Sequence, residues 1–481
     1  MNKIIVNHTS IIINDYNLGD NEKLEKRLSI WDGVRHKYIP IAFMYNENTK
    51  QLFIPRGIDI TYIEKIFNAP AEIRYEPDPY DNVSIKVKTM PKNDIQRKSI
   101  SFLIGEEDFK YTKKYSQLLL NLPTGEGKTY VTSASLQFLS TKAIIITPID
   151  KIKKQWYDTF VNMTDIQDGY ICDISGSNVI KNLMKQKTLK YKIYLVNHGT
   201  IIAYAKSNGW AAVHEFFKHI KVGVKIYDEA HLNFENILRI DLNTNTKKTI
   251  YLTATFERSD YKENSLFNTC FKNVIRYGYE VRQEIRRHIM YLAILYDSHP
   301  DLAEQAYMST YRGFNKIRYA EYESNSDAFY EALAYAVKYF KNMDGKMLIL
   351  SSTIDLVDKI TDFLNKSFDD LSVSSYHSKL TEDEKDKALQ SDIISTTPKS
   401  AGTGVDIKKL RTVIMCEAYS STVQADQVSG RLREYSDNDS TFYVELVDTG
   451  FKKVYNMYRG RLSVFKKKCS KLLSINLTGE E

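Results

Sequence analysis

Apolar runs of about four to six residues, each closed by small or polar residues, recur through the middle of the chain. Ala143-Ile144-Ile145-Ile146-Thr147-Pro148 is one. Ile193-Tyr194-Leu195-Val196 before Asn197-His198-Gly199-Thr200, Val222 to Tyr227 leading into Asp228, and Thr249-Ile250-Tyr251-Leu252-Thr253-Ala254-Thr255 are the others. Such near-continuous runs predict strands covered on both faces. Helix-length segments separate them, and that alternation predicts a parallel sheet. The polar ends of the runs then fall at the carboxyl edge, where α/β sheets bind ligands.

A second alternating unit follows: Met347 to Ser352, a helix near 355–366, Leu371 to His377, a helix near 381–389, Asp392 to Thr397, and Thr412 to Cys416. The first 88 residues read differently. Ile11-Ile12-Ile13, Tyr38 to Tyr45 and Gln51 to Pro55 predict strands, Asn46 to Lys50 a hairpin turn, and Ile60 to Phe67 a helix. Pro77, Pro79 and Pro91 mark residues 76–93 as a linker. The expected fold is therefore α/β: a small α+β domain over 1–88, a parallel-sheet domain over 89–260, and a second over 346–450. Between the last two, residues 261–345 are expected to be a linker or helical region. It contains a strand-like run, Ile289 to Tyr296, and a helix capped by Ser326. Residues 451–481 predict a basic C-terminal helix, with Val454, Tyr458, Leu462 and Phe465 at helical spacing. That helix is either solvated and packed on the second domain or a phosphate-contacting element.

Composition adds bounds. The 481 residues, 43% hydrophobic and 26% charged, are those of a globular protein of roughly three domains. No apolar run is long enough to span a bilayer, and Met1 to His8 lacks a signal-peptide core, so no membrane and a cytoplasmic location are expected. Four scattered cysteines form no CxxC pair, against zinc and against a disulfide framework. The net charge of +7 permits nucleic-acid binding without requiring it.

The chemistry centres on Leu122-Pro123-Thr124-Gly125-Glu126-Gly127-Lys128-Thr129, a glycine-containing turn between an apolar run and a helix. Such a turn wraps phosphates with backbone N–H groups. Lys128 would reach the β/γ-phosphates, and the Thr129 hydroxyl would ligate Mg²⁺. Leu122 stands where the full phosphate-loop pattern has glycine. Downstream, Asp228 and Glu229 end an apolar segment. They fit the Mg²⁺-holding acid and the water-polarising residue of an ATPase. Gln96, on the helix ahead of the loop, offers the paired donor and acceptor that an adenine edge needs.

Two tandem α/β domains, the first with Gly-Lys-Thr and Asp228-Glu229-Ala230-His231, resemble the superfamily 2 helicases and translocases in their DEAH spelling, over roughly residues 90–450. The resemblance implies two RecA-like domains with ATP and Mg²⁺ between them. It assigns Gln96 to adenine and Thr124, Gly125, Glu126, Gly127, Lys128 and Thr129 to the phosphates. Thr147, Pro148, Gln155, His198 and Thr200 go to the nucleic-acid backbone. His231, Thr253, Thr255 and Gln427 couple hydrolysis to movement. In the second domain it places Ser351 and Thr403 towards DNA, Gly404 and Asp406 towards the nucleotide, and Arg431 and Arg433 as arginine fingers. One residue separates those arginines, where the family usually has two.

Ile30-Trp31-Asp32-Gly33-Val34-Arg35 and Gln51 to Gly57 are similar to the leading domain of phage UvsW-type branch-migration helicases. That narrower resemblance implies Trp31 and Arg35 as DNA contacts, with a structural cap as the other reading of the leading block. The expected activity is an ATP-dependent DNA helicase or translocase that remodels forks, displacement loops and four-way junctions. The chain is expected to act as a monomer alongside other replication or recombination proteins. The same motor acting on RNA or on transcription complexes is the alternative, and a non-hydrolysing ATP-dependent clamp is a third.

Overall fold

A computed structural model describes residues 3–32, 35–122, 126–253, 261–278, 289–310, 313–402, 407–432 and 440–478. The chain forms two compact units, residues 1–283 and 284–481. The expected α/β class holds: each unit contains a parallel sheet of seven strands among the described residues, and a small α+β sheet precedes the first.

In the first unit the parallel sheet runs Ile171–Ile174, Ile193–Asn197, Ala143–Thr147, Val224–Tyr227, Lys248–Thr253, Gln117–Asn121 and Ile275–Tyr277. Its central strands are buried at almost every position, as their unbroken apolar runs require. The leading sheet runs Met44–Asn46, Gln51–Pro55, Ser10–Ile13, Ile4–Val6 and Ala71–Ile73. The expected single strand from Tyr38 to Tyr45 is two: Lys37–Pro40 pairs with Ser29–Asp32, and Met44–Asn46 pairs with Gln51–Pro55. Pro40 has no N–H to continue a ladder, and the chain changes sheets there.

The leading module shares its core with the first parallel sheet. Ile4, Ile11, Leu52 and Ile63 belong to one apolar cluster with Leu119, Phe234, Phe267 and Cys270. The approach is close at Gly57, where a Cβ would stand 2.2 Å from Cys270 O. The proline-marked segment after it is no free linker. Asp78 N donates to Asn245 O at 2.9 Å, Asp81 N to Lys221 O at 3.0 Å, Val83 N to Ser140 O at 3.1 Å and Lys88 N to Met163 O at 2.8 Å. These bonds strap it across the parallel-sheet domain.

In the second unit the sheet runs Val373–Tyr376, Ile393–Thr396, Lys346–Leu350, Leu410–Met415, Thr441–Asp448, Ile289–Tyr296 and Lys471–Asn476. This corrects two expectations. Residues 261–345, expected as a linker or helical region, carry the helices Tyr261–Cys270, Leu302–Tyr307, Lys316–Glu323 and Asp327–Phe340, but they also supply sheet strands: Ile275–Tyr277 pairs with the first sheet, and Ile289–Tyr296 lies inside the second, bonded to strands on both sides. Tyr291 and Ala293 face one apolar cluster while Leu292 and Ile294 face another, so both sides of that strand are covered. The C-terminal segment is a helix only over Lys452–Lys468, after which Lys471–Asn476 is a strand of the same sheet. No described helix is long and apolar enough to cross a membrane.

Candidate nucleotide and nucleic-acid site

The buried strand Gln117–Asn121 delivers Leu122 to the start of the loop. The Leu122 side chain is buried in the core, which accounts for an apolar residue where the phosphate-loop pattern has glycine. Gly127 then turns the chain at φ +81° and caps the helix Lys128–Leu139. Lys128 Nζ donates to Leu122 O at 3.1 Å, which holds the ammonium over the loop. Gln96 packs against the other end of the loop. Its Nε2 donates to Glu126 O at 3.2 Å, and its Oε1 accepts from Lys92 N at 2.9 Å. The helix N-terminus, Lys128 and the partly exposed Thr129 hydroxyl make a cradle for a polyphosphate. Thr124 and Gly125 lie outside the described residues.

The strand Val224–Tyr227 carries Asp228 to the same edge, anchored by Asp228 N donating to Ile146 O at 3.0 Å. Asp228 is 6% exposed. Burial pushes its carboxyl up to about 6, and the neighbouring Glu229 adds to this; the Lys128 charge and a Trp156 hydrogen bond act the other way. Glu229 adopts a left-handed φ of +47°. Its Oε2 lies 3.2 Å from His231 Nδ1, and that nitrogen lies 3.0 Å from Thr253 Oγ1. A line of polar groups thus runs from the second carboxylate to the end of the strand Lys248–Thr253. Thr255 lies outside the described residues.

Mg²⁺ fits this donor set: one carboxylate and one hydroxyl are hard oxygen ligands, with phosphate oxygens left to complete the shell. No group of three or more His, Cys, Asp or Glu that could hold a metal occurs among the described residues.

The expected nucleic-acid contacts divide. Gln155 is exposed, and Pro148 and Thr200 are partly so. Thr147 is buried, with its Oγ1 donating to Asn197 Oδ1 at 2.7 Å. His198 is 2% exposed, and burial pulls its imidazole down to about 4, so it is a neutral core side chain. Ser351 is also buried. The Thr147, His198 and Ser351 side chains, expected at the nucleic-acid backbone, are thus buried, whereas Gln155 is presented to solvent. Asn197 Nδ2 donates to Asp150 Oδ1 at 2.8 Å, and Lys153 bridges Asp150 and Asp173 at 2.9 and 2.6 Å. These bonds brace the two helix starts. Trp31 is 39% exposed on its hairpin, paired edge-on with Tyr38 at 5.1 Å, and Arg35 is exposed.

In the second unit Gln427 lies in the helix Thr422–Ser429, and Arg431 follows after Gly430, its N donating to Val428 O at 3.1 Å. Thr403, Gly404, Asp406 and Arg433 lie outside the described residues. Sequence reasoning missed Trp156, which is fully buried and donates from Nε1 to Asp228 Oδ2 at 2.7 Å. The sequence pointed only to its neighbour Gln155, as a nucleic-acid contact.

Comparison with known proteins agrees with this layout. Residues 89–258 match the family model described as type III restriction enzyme, res subunit, and residues 328–434 match the helicase conserved C-terminal domain. These two domains indicate a superfamily 2 helicase, and such domains imply an ATP-hydrolysing nucleic-acid enzyme. The transcript termination protein A18 of Yaba-like disease virus is 22% identical over 373 residues, 74% of this chain and 72% of that protein. A DNA 3′-5′ helicase XPB of Kineococcus radiotolerans is 24% identical over 147 residues, covering 31% of this chain and 24% of that protein. Among solved structures, a fragment of a putative HsdR subunit of a type I restriction enzyme from Vibrio vulnificus superposes with a TM-score of 0.54 at 17% identity, covering 83% of this chain and 70% of that one. T4 UvsW covers 99% of this chain and 100% of its own at 15% identity, with a TM-score of 0.39 from which nothing is inferred.

Proposed function

We propose that this protein is an ATP-driven DNA translocase of the DEAH type that remodels branched DNA. The observation that carries the motor reading is the convergence of Lys128, Thr129, Asp228 and Glu229 on one edge of the first parallel sheet, where α/β folds bind ligands. Lys128 would bind the β/γ-phosphates, and Asp228 and Thr129 would hold Mg²⁺, whose charge would offset that of the phosphates. Glu229 orients the attacking water. Arg431 is the candidate arginine finger, a kind of residue that contributes ~10³–10⁵ in rate in NTPases that use one. Gln155 and Thr200 hold the strand backbone, a contact that carries little sequence information and weakens with salt.

The branched-DNA part rests on the exposed Trp31–Tyr38 ring pair, a stacking surface, and on Arg35 close by in sequence, which is exposed and ion-paired with Asp32 at 3.6 Å. A second reading is favoured by one finding: a relative that aligns over 74% of this chain is a viral transcript termination protein. In that reading the same motor acts on RNA or on a transcription complex. Strand-product assays on a DNA fork, a four-way junction and an RNA duplex separate the two. Junction products with no RNA products support branched DNA; RNA products alone transfer the function to the second reading.

A further inference from the structure

We propose that Trp156 is the positioning residue that sets the Asp228 carboxylate for Mg²⁺, from the same helix that carries the strand-contacting Gln155. The proposal rests on the assignment of Asp228 to the metal. The two oxygens of Asp228 have separate donors. Oδ2 accepts from Trp156 Nε1 at 2.7 Å, and Oδ1 accepts from Glu229 N at 2.8 Å. Two donors on two oxygens fix the carboxylate's plane, and each oxygen keeps a lone pair for a cation.

The identity of the donor matters. An indole donates one hydrogen bond and carries no charge. A lysine or arginine in its place would neutralise Asp228 and compete with a metal ion. Trp156 is fully buried and packs its ring against Phe160 at 5.9 Å, so the N–H has one direction to point. The helix Asp150–Met163 that presents it is pinned at its start by Lys153 to Asp150 and Asp173. Gln155, the preceding residue, is exposed on the same turn. The helix therefore shows one side to a strand and aims a rigid donor from the other at the metal carboxylate.

Partners that orient a metal ligand typically contribute 10–100-fold to metal affinity or activity. The test is Trp156→Phe in the full chain, which keeps an aromatic ring and removes the N–H. Mn²⁺ binding in the presence of ADP is followed by electron paramagnetic resonance, and ATP turnover is measured against Mg²⁺ concentration. The expected result is an approximately 10-fold weaker Mn²⁺ affinity and a parallel rise in the Mg²⁺ needed for half-maximal turnover, with ADP affinity in EDTA unchanged. A variant that loses turnover with an unshifted metal dependence would assign Trp156 to packing alone and overturn the proposal. Asp228→Asn is run beside it. If Asp228→Asn keeps its metal affinity, the metal assignment itself fails, whatever Trp156→Phe shows. A melting temperature for each variant separates loss of fold from loss of positioning.

Discussion

Gln96 and Gly127 interlock: a Cβ on residue 127 would stand 2.6 Å from Gln96 Nε2, and that nitrogen donates to the adjoining Glu126 O at 3.2 Å. The adenine-reading candidate and the phosphate loop are one packed unit. Gly127→Ala meets both this contact and a φ of +81°, a conformation that costs an L-residue roughly 1–2 kcal/mol. The expected outcome is a small drop in melting temperature with a large loss of ATP binding, measured by calorimetry and by displacement of a fluorescent nucleotide.

Lys128→Ala should abolish ATP turnover while leaving nucleic-acid affinity largely intact. Phosphate release and a filter-binding titration check the two halves separately. Undiminished turnover would remove the phosphate loop from the account.

Asp228 gives a pH dependence with two opposite signs. Its carboxyl is raised from 3.8 to about 6, chiefly by burial. Ionised Asp228 is the form that holds a metal, so kcat/KM for ATP should fall as pH drops through about 6. Stability runs the other way. In the metal-free fold the protonated form is favoured relative to the unfolded chain, so this stabilisation is complete below pH 3.8 and is lost as pH rises through 6. The metal-free parent should therefore lose on the order of 1–3 kcal/mol of stability between pH 4 and pH 8, a pH dependence that Asp228→Asn should lack. Melting curves at both pH values without Mg²⁺ or nucleotide measure it.

Arg431→Ala should bind ATP and hydrolyse it slowly, with Arg433→Ala losing less. Single-turnover kinetics of both variants decides whether one finger or two act. Equal and severe losses would show that the shortened spacing still delivers both.

Truncation at residue 88 should not excise an independent domain. Ile4, Ile11 and Leu52 share an apolar cluster with Phe267 and Cys270, so removing them exposes apolar surface and should lower the melting temperature of the remainder. Paired Trp31→Ala and Tyr38→Ala, both exposed, probe the leading module without that loss. Reduced junction processing with normal single-strand ATPase is expected.

The central strands of both sheets were legible because residues buried on both faces leave unbroken apolar runs. The strand Thr441–Asp448 was not, because Glu445 interrupts it; the structure pairs that carboxylate with Arg461 at 2.8 Å inside the core. Lys471–Asn476 is an edge strand following a basic helix, and its mixed burial leaves no run to read. The phosphate loop and Asp228 were legible through spacing. The Trp156 bond to Asp228 spans 72 residues, and nothing local in the sequence points a buried indole at a distant carboxylate. The burial of His198 was equally hidden, because Asn197 and Thr200 beside it in sequence are polar.

The most direct test of the motor is ATP hydrolysis by the parent and Lys128→Ala, measured in parallel without nucleic acid and with a DNA fork, a four-way junction, linear duplex, single-stranded DNA and RNA. The account predicts turnover by the parent that is stimulated by nucleic acid, most by branched DNA, falls with salt, and is absent in the variant. Turnover indifferent to every nucleic acid, or equal in the variant, would contradict it.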